Sequence, residues 1–281
     1  MTPTVLAAYQ PEGERAPVDF AAAWAAATGA QLVIASADAD GTEQGEALSA
    51  LGRELRADTQ RLTGASPARA LHEAAEELRA GLVVVGATEH GATGRKLLGS
   101  TAQRLAHGAP CPLAVVPHGW TAGGGLKTVG AAYLDTPEGH EALHGAAAIA
   151  RRTGASLRVL SAEKPHGFHE TQGGGDALTP PTTYAEIGSA LRANAERAVA
   201  AVAGEAGMPI EADVSVGDPG EFLVAASRHL DVLVMGSRGY GPRQAVLLGG
   251  VSARVTAEAS CPVVVLVRGS EGALEAFAGA A

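Results

Sequence analysis

Short apolar runs alternate along this chain with longer stretches whose apolar residues recur at helical spacing. Residues 5–9 read as a first strand, followed by an alanine-rich helix around residues 20–27. Thr28-Gly29-Ala30 ends that helix, with Gly29 suited to a left-handed cap. Residues 31–36 predict a second strand. Leu48, Leu51 and Leu55 then fall at i, i+3 and i+7, one apolar stripe of a helix. A weak strand is expected near residues 59–63. Ser66-Pro67 opens another helix, with Leu71, Ala75 and Leu78 on one face; proline suits a first helical turn. An apolar strand at residues 82–86, a glycine-rich loop, a helix from about Ser100 and a final strand at residues 113–116 complete the first half.

The second half repeats this order. Strands are expected at residues 128–134, 157–162 and 210–216, and Thr153-Gly154-Ala155 closes a helix as Thr28-Gly29-Ala30 does. Ile187, Leu191, Ala195, Val199 and Val202 mark a long helix, and Asp218-Pro219-Gly220-Glu221 begins another. Three landmarks recur at one displacement of 150 residues: Gly86 with Gly236, Gly99 with Gly249, and Cys111-Pro112 with Cys261-Pro262. One α/β unit is therefore written twice. Strands alternating with helices of this length call for a parallel sheet covered on both faces. The expected organisation is two domains, residues 1–118 and 127–268, a glycine-rich flexible linker at 119–126, and a loosely held tail at 269–281. The second copy carries extra length, expected as a surface loop at 163–183 that contains Gly173-Gly174-Gly175 and Pro180-Pro181.

Composition narrows the functional classes. A hydrophobic share of 46% fits an ordinary globular protein. The net charge of −9 and the lack of a basic patch argue against a nucleic-acid partner. No run approaches the roughly 20 apolar residues that span a bilayer, and no signal peptide is readable, so the expectation is a cytoplasmic protein without a membrane partner. Cys111 and Cys261 occupy equivalent places at the start of apolar strands and read as small buried hydrophobes.

The glycine-rich loops carry the candidate chemistry. In the second half, Gly236-Ser-Arg-Gly239 is followed after nine residues by Gly249-Gly250-Val251-Ser252. Bare backbone there can approach a phosphate, helix-start N–H groups can face the anion, and Arg238 adds a complementary charge. A glycine turn that merely joins strand to helix is the other reading of the same spacing.

This pattern resembles the nucleotide loop of the universal stress protein family: Gly-x-x-Gly, nine residues, then Gly-[Ser/Thr], after an apolar strand. Val216-Gly217-Asp218-Pro219, Asp231 to Gly239 and Ser260-Cys261-Pro262 look like that family, as do Thr28-Gly29-Ala30 and Pro110-Cys111-Pro112 in the first half. The resemblance implies two Rossmann-like domains of the adenine nucleotide alpha hydrolase-like type, each a five-stranded parallel sheet with helices on both faces. It also implies a stress-response module, some members of which bind ATP, with Mg alongside, and others of which do not.

The second copy matches at Gly236, Gly239 and Gly249, while Gly250 stands where Ser or Thr is expected. That removes a hydroxyl and keeps the N–H; Ser252 offers a nearby hydroxyl in partial compensation. The family's acid after strand one should fall near Leu134, and Asp135 is one position late. In the first copy Gly86, Gly99 and Ser100 match, but Glu89 replaces the second glycine and Tyr9-Gln10 stand at the acid's place. That copy reads as a degenerate site whose job is to pair with the second through sheet edges; a further homo-oligomer is left open. No catalytic residues are legible, and at most slow ATP hydrolysis is expected. His140 and His144, at i and i+4, could meet one metal, but no third ligand is evident and no metal site is expected. His166 and His169 read as exposed loop. The alternative function is an interaction or scaffold protein of the same family with both sites decayed.

Overall fold

The computed structural model of the chain describes residues 2–37, 42–64, 66–87, 98–164, 183–203, 208–237, 248–267, 269–270 and 272–279. Arg238, Gly239 and Glu89 lie outside the described residues, as do His166, His169 and residues 165–182 of the expected surface loop.

The first repeat runs β1 (Thr4–Ala8), α1 (Ala16–Thr28), β2 (Gln31–Ser36), α2 (Thr42–Leu55), β3 (Asp58–Arg61), α3 (Pro67–Glu77), β4 (Leu82–Gly86), α4 (Ser100–Ala106) and β5 (Leu113–Val116). The second runs β6 (Thr128–Ala132), α5 (Pro137–Thr153), β7 (Ser156–Glu163), α6 (Tyr184–Ala203), β8 (Ile210–Val216), α7 (Pro219–Ala226), β9 (Val232–Gly236), α8 (Gly250–Glu258) and β10 (Val263–Leu266). Local chemistry sets several of these boundaries. Gly29 and Gly154 close α1 and α5 with φ of 75° and 71°, the left-handed region that glycine enters without a Cβ penalty. Ser66, Thr136 and Asp218 cap α3, α5 and α7, each accepting a backbone N–H three residues on, with proline in the first turn.

Each repeat lays its strands in the order 3-2-1-4-5, all parallel, and the whole sheet reads β3-β2-β1-β4-β5-β10-β9-β6-β7-β8. At the centre β5 and β10 pair antiparallel, with Val263 opposite Val115, Val264 opposite Ala114 and Val265 opposite Leu113. The ten strands therefore form one sheet whose order reads the same from either edge.

Alternation along the strands assigns the cores. Val5, Ala7, Leu32, Ile34, Val84, Val129, Ala131, Val159, Val234 and Val264 face one side, where a single apolar layer runs under helices of both repeats. Their neighbours in sequence face the other side, where the layer splits into two clusters, one of the second repeat and one of the first that also takes in Val267. On the shared side α1 meets α5, and the Arg152 Nε donates to the Thr28 carbonyl at 3.1 Å across the seam.

Two expectations about connecting segments are corrected. The tail is not loosely held: Leu274 and Phe277 are buried, and a 3-10 turn at Glu275–Phe277 packs on α5. Apolar burial of two large side chains outweighs the small, polar look of the segment. The linker is anchored at both ends, because Trp120 meets Phe20 edge-on at 5.6 Å and Leu126 is buried. Only its middle, with Gly124 and Gly125 at positive φ, runs over the surface.

Candidate functional site

In an open parallel sheet, clefts form beyond the carboxyl ends of the strands where the winding reverses. Here that point lies between β1 and β4 in the first repeat and between β6 and β9 in the second, and a cleft opens at each, of about 530 and about 430 Å³.

The second cleft is built from four segments. β9 ends at Gly236, and the Ser237 N–H continues the ladder to the Leu266 carbonyl at 3.0 Å. The chain returns at Gly249, whose N–H donates to the Ser237 carbonyl at 2.9 Å. Gly249 caps α8 with φ −58° and ψ 155°, and the first intrahelical bond runs from Ala253 N–H to the Gly249 carbonyl. The N–H groups of Gly250, Val251 and Ser252 precede that bond and stand at the positive end of the helix. Gly236, Gly249, Gly250, Val251 and Ser252 all line the cleft. Ser252 is buried, and its hydroxyl donates to the Gly236 carbonyl at 3.0 Å. It braces the strand end against the helix, so its proton does not replace the hydroxyl missing at Gly250. Gly250 itself has no left-handed φ, and a Cβ there would meet nothing within 4 Å.

The floor is apolar, with Ala132, Leu134, Leu160, Leu223 and Met235, and the rim carries Glu138, Glu163, Lys164 and Asp218. Asp218 ties three walls together. It accepts the Glu221 N–H at 2.9 Å as the cap of α7, pairs with Lys164 at the end of β7, and takes Arg254 Nη1 of α8 at 3.1 Å. The Lys164 ammonium and the Glu221 N–H hold its carboxyl below the ordinary carboxylate value of 3.8. These rim residues were not candidates from sequence. Asp218 was legible as a helix cap, but its nearness to Lys164 and Arg254 arises from chain segments far apart in sequence.

Between β6 and α5 the cleft is shaped by a tight turn. Thr136 N–H donates to the Leu134 carbonyl at 2.7 Å, and Gly139 N–H donates to the Thr136 hydroxyl at 3.1 Å. Leu134 lines the cleft; Asp135 does not, because its carboxylate pairs with His140 Nε2 at 2.9 Å. The acid that the sequence places one position late thus stays one position away from the site. His140 also meets the Tyr133 ring edge-on at 5.4 Å, and among the described residues no three metal-type side chains gather.

The first cleft repeats the framework and changes the lining. Gly99 caps α4 with φ −58° and ψ 151°, and Ala87 N–H bonds the Val116 carbonyl at 2.8 Å, the counterpart of Ser237 and Leu266. Gly86, Gly99 and Ser100 line it together with Tyr9, Gln10, Glu12, Glu14 and His118. Glu14 pairs with His118 at 2.7 Å and accepts the Gly119 N–H at 3.0 Å. Both rims thus carry carboxylates, Glu12 and Glu14 here and Glu138, Glu163 and Asp218 in the second cleft, where Lys164 and Arg254 pair with Asp218.

The fold and its paired clefts define a class: a doubly wound α/β protein made of two like repeats in one sheet. Within that class the chain belongs to the universal stress protein family, whose model matches residues 13–117 and 125–268. It is 31% identical over 203 residues, 72% of its length, to a universal stress protein of Mycolicibacterium smegmatis; the match spans 66% of that protein, just under two thirds. Among solved structures it is similar in fold to a putative universal stress protein from Pseudomonas aeruginosa UCBPP-PA14, with a TM-score of 0.70, 20% identity, and 99% and 98% of the two chains covered. A second Pseudomonas aeruginosa protein, from strain PAO1 and described as functionally unknown, gives a TM-score of 0.69 at 19% identity over 99% and 97%. No helix among the described residues is long and apolar enough to cross a membrane.

Proposed function

We propose that this universal stress protein is a stress-response module that binds one adenine nucleotide, ATP with Mg, in its second cleft. The observation that carries the reading is the cleft at the ends of β6 and β9, into which α8 opens at Gly249, Gly250, Val251 and Ser252. A helix start whose first N–H groups have no intrahelical partner favours phosphate, and an apolar floor of this size suits a flat base. Arg238 and Gly239 complete the loop in this reading. The first cleft is left without nucleotide in this reading because Glu89 stands in its loop where the second copy has Gly239. The protein acts as a binding module and not as a metabolic enzyme: bound nucleotide favours one loop arrangement, and a partner reads it. The two repeats work as an intramolecular pair, and a cytoplasmic setting suits two free buried thiols.

Mass spectrometry of ligand released by denaturing the purified protein, followed by titration with ATP, tests this. One nucleotide per chain is expected. If neither the native chain nor Gly250→Ser binds at millimolar ATP, the nucleotide reading fails. Leu134 in the cleft, with Asp135 turned to His140, favours the second reading in that case: a scaffold whose sites have both decayed.

A further inference from the structure

The segment after β10 runs along α5 of the second repeat and reaches the first through Phe277. Gly272 N–H donates to Glu141 Oε2 of α5 at 3.3 Å. Leu274 then lies on Gly145 of α5, so close that a Cβ there would stand 3.1 Å from Leu274 Cδ1. One turn further on, Phe277 is fully buried in the first repeat. Its ring meets Trp24 edge-on at 5.8 Å, and a Cβ on Gly81 would stand 2.9 Å from two of its carbons. Each repeat thus offers a glycine socket, and one short segment fills both.

The sockets break the internal symmetry. With Thr153-Gly154-Ala155 set on Thr28-Gly29-Ala30, the place of Gly145 is held in the first half by Phe20, whose ring packs on Trp24 and Trp120. The place of Gly81 is held in the second half by Asp231, whose carboxylate accepts the N–H groups of Lys127 and Thr128 at 2.8 Å. Neither counterpart leaves room for a second tail. The arrangement fits one segment, running in one direction, across the side of the sheet where the apolar layer is continuous.

We propose that residues 272–279 are an intramolecular clasp that fastens the two repeats across their seam and fixes α5. The clasp reaches the second cleft through α5 itself. Its first turn supplies Glu138 and Gly139 to the cleft wall, and Glu141 and Gly145, within the next two turns, are held by the tail. A short segment with few buried anchors is the kind that opens as one cooperative unit, so loosening either socket frees both ends. This inference stands apart from the nucleotide reading and needs no ligand.

The test uses the full chain and alters the sockets, not the tail. Gly81→Ala pushes on Phe277 from the first repeat, and Gly145→Leu fills the seat of Leu274 in the second. Both tryptophans, Trp24 and Trp120, belong to this cluster, so acrylamide quenching reports on the seam alone. Hydrogen exchange followed by mass spectrometry reads the tail, α5 and β4. Gly145→Leu is expected to raise tryptophan quenching severalfold, although the change lies in the other repeat. Gly81→Ala is expected to speed exchange in the first turns of α5 and in residues 272–279 by about tenfold or more, with β4 still protected. The clasp is overturned if Gly145→Leu leaves quenching at the native level, or if Gly81→Ala leaves α5 exchange unchanged; the contacts are then separate packing events. Should Gly145→Leu not fold, Leu274→Ala carries the same expectation and the same contrary result.

Discussion

At the scale of single residues, the proposed nucleotide reading of the second cleft turns on one missing hydroxyl. Ser100 and Gly250 occupy the same first helical position after caps of nearly identical geometry, φ −58° with ψ 151° or 155°. A serine therefore fits that backbone without strain, and the space around Gly250 is open. Gly250→Ser should tighten ATP binding on the order of tenfold, the worth of one hydrogen bond to a charged phosphate. Calorimetric titration of both chains measures it; weaker binding by the serine variant contradicts a phosphate at this helix start. The cysteines make a second residue-scale case. Burial pushes both thiols from 9.0 up to about 12. A folded value above the unfolded one favours the folded state below pH 9, and that advantage is lost as pH rises from about 9 towards 12. Native protein should lose stability over that range more steeply than Cys111→Ala measured in urea beside it. Alkylation at pH 8 should be slow in the folded chain and fast in denaturant.

Elements are held in register by small local devices, and two of them can be broken selectively. Gly139 sits so near the β6–α5 turn that a Cβ would lie 2.0 Å from the Leu134 carbonyl oxygen. Backbone cannot swing aside as a side chain does. Gly139→Ala should therefore cost about 1–3 kcal/mol in urea unfolding and deform the wall of the cleft. A stability within error of the native chain would show that the turn is softer than its geometry implies. Asp218 separates capping from charge. Asn in its place keeps a side-chain acceptor for the Glu221 N–H, whereas Ala removes it and should cost about 1 kcal/mol. Because the carboxyl is held below its ordinary value, its ionic contribution is present above pH 3.8 and fades as pH falls through the lowered value. Native and Asp218→Asn proteins should thus converge in stability under acid, while Asp218→Ala stays lower. A gap between native and Asn variants that persists at acid pH contradicts this assignment.

For the whole molecule, the central pairing of β5 with β10 makes one sheet of ten strands whose open edges are β3 and β8. Opening free energy should follow that order. Amides of β4, β5, β10 and β9 should exchange slowest, and those of the exposed edges fastest. Peptide-level exchange that finds β5 as labile as β3 would mean the repeats part readily at their seam. Small-angle scattering should report one compact particle instead of two lobes, since the apolar layer under α1 and α5 is continuous across the seam.

The chain's pattern was enough to establish the repeat, the alternation of strands and helices, the caps at Gly29, Gly154, Ser66 and Asp218, and the burial of Cys111 and Cys261. These depend on residues close in sequence or on a two- or 3.6-residue period, and such signals survive without a fold. The helix-start glycines of the second cleft were legible for the same reason. The rim was not: Lys164, Asp218 and Arg254 are far apart along the chain and meet only when β7, α7 and α8 are placed. Nor was the fate of the tail, which reads as small and polar until the glycines at 81 and 145 open space for Phe277 and Leu274. A missing side chain marks a socket only once its neighbour is known. The role of Asp135 was settled by a local contact that no period encodes, because its turn directs the carboxylate to His140, five residues on, and leaves Leu134 in the cleft. Local periodicity determined the elements, while the meeting of distant groups, which no period encodes, decided the site's rim, the seam and the clasp.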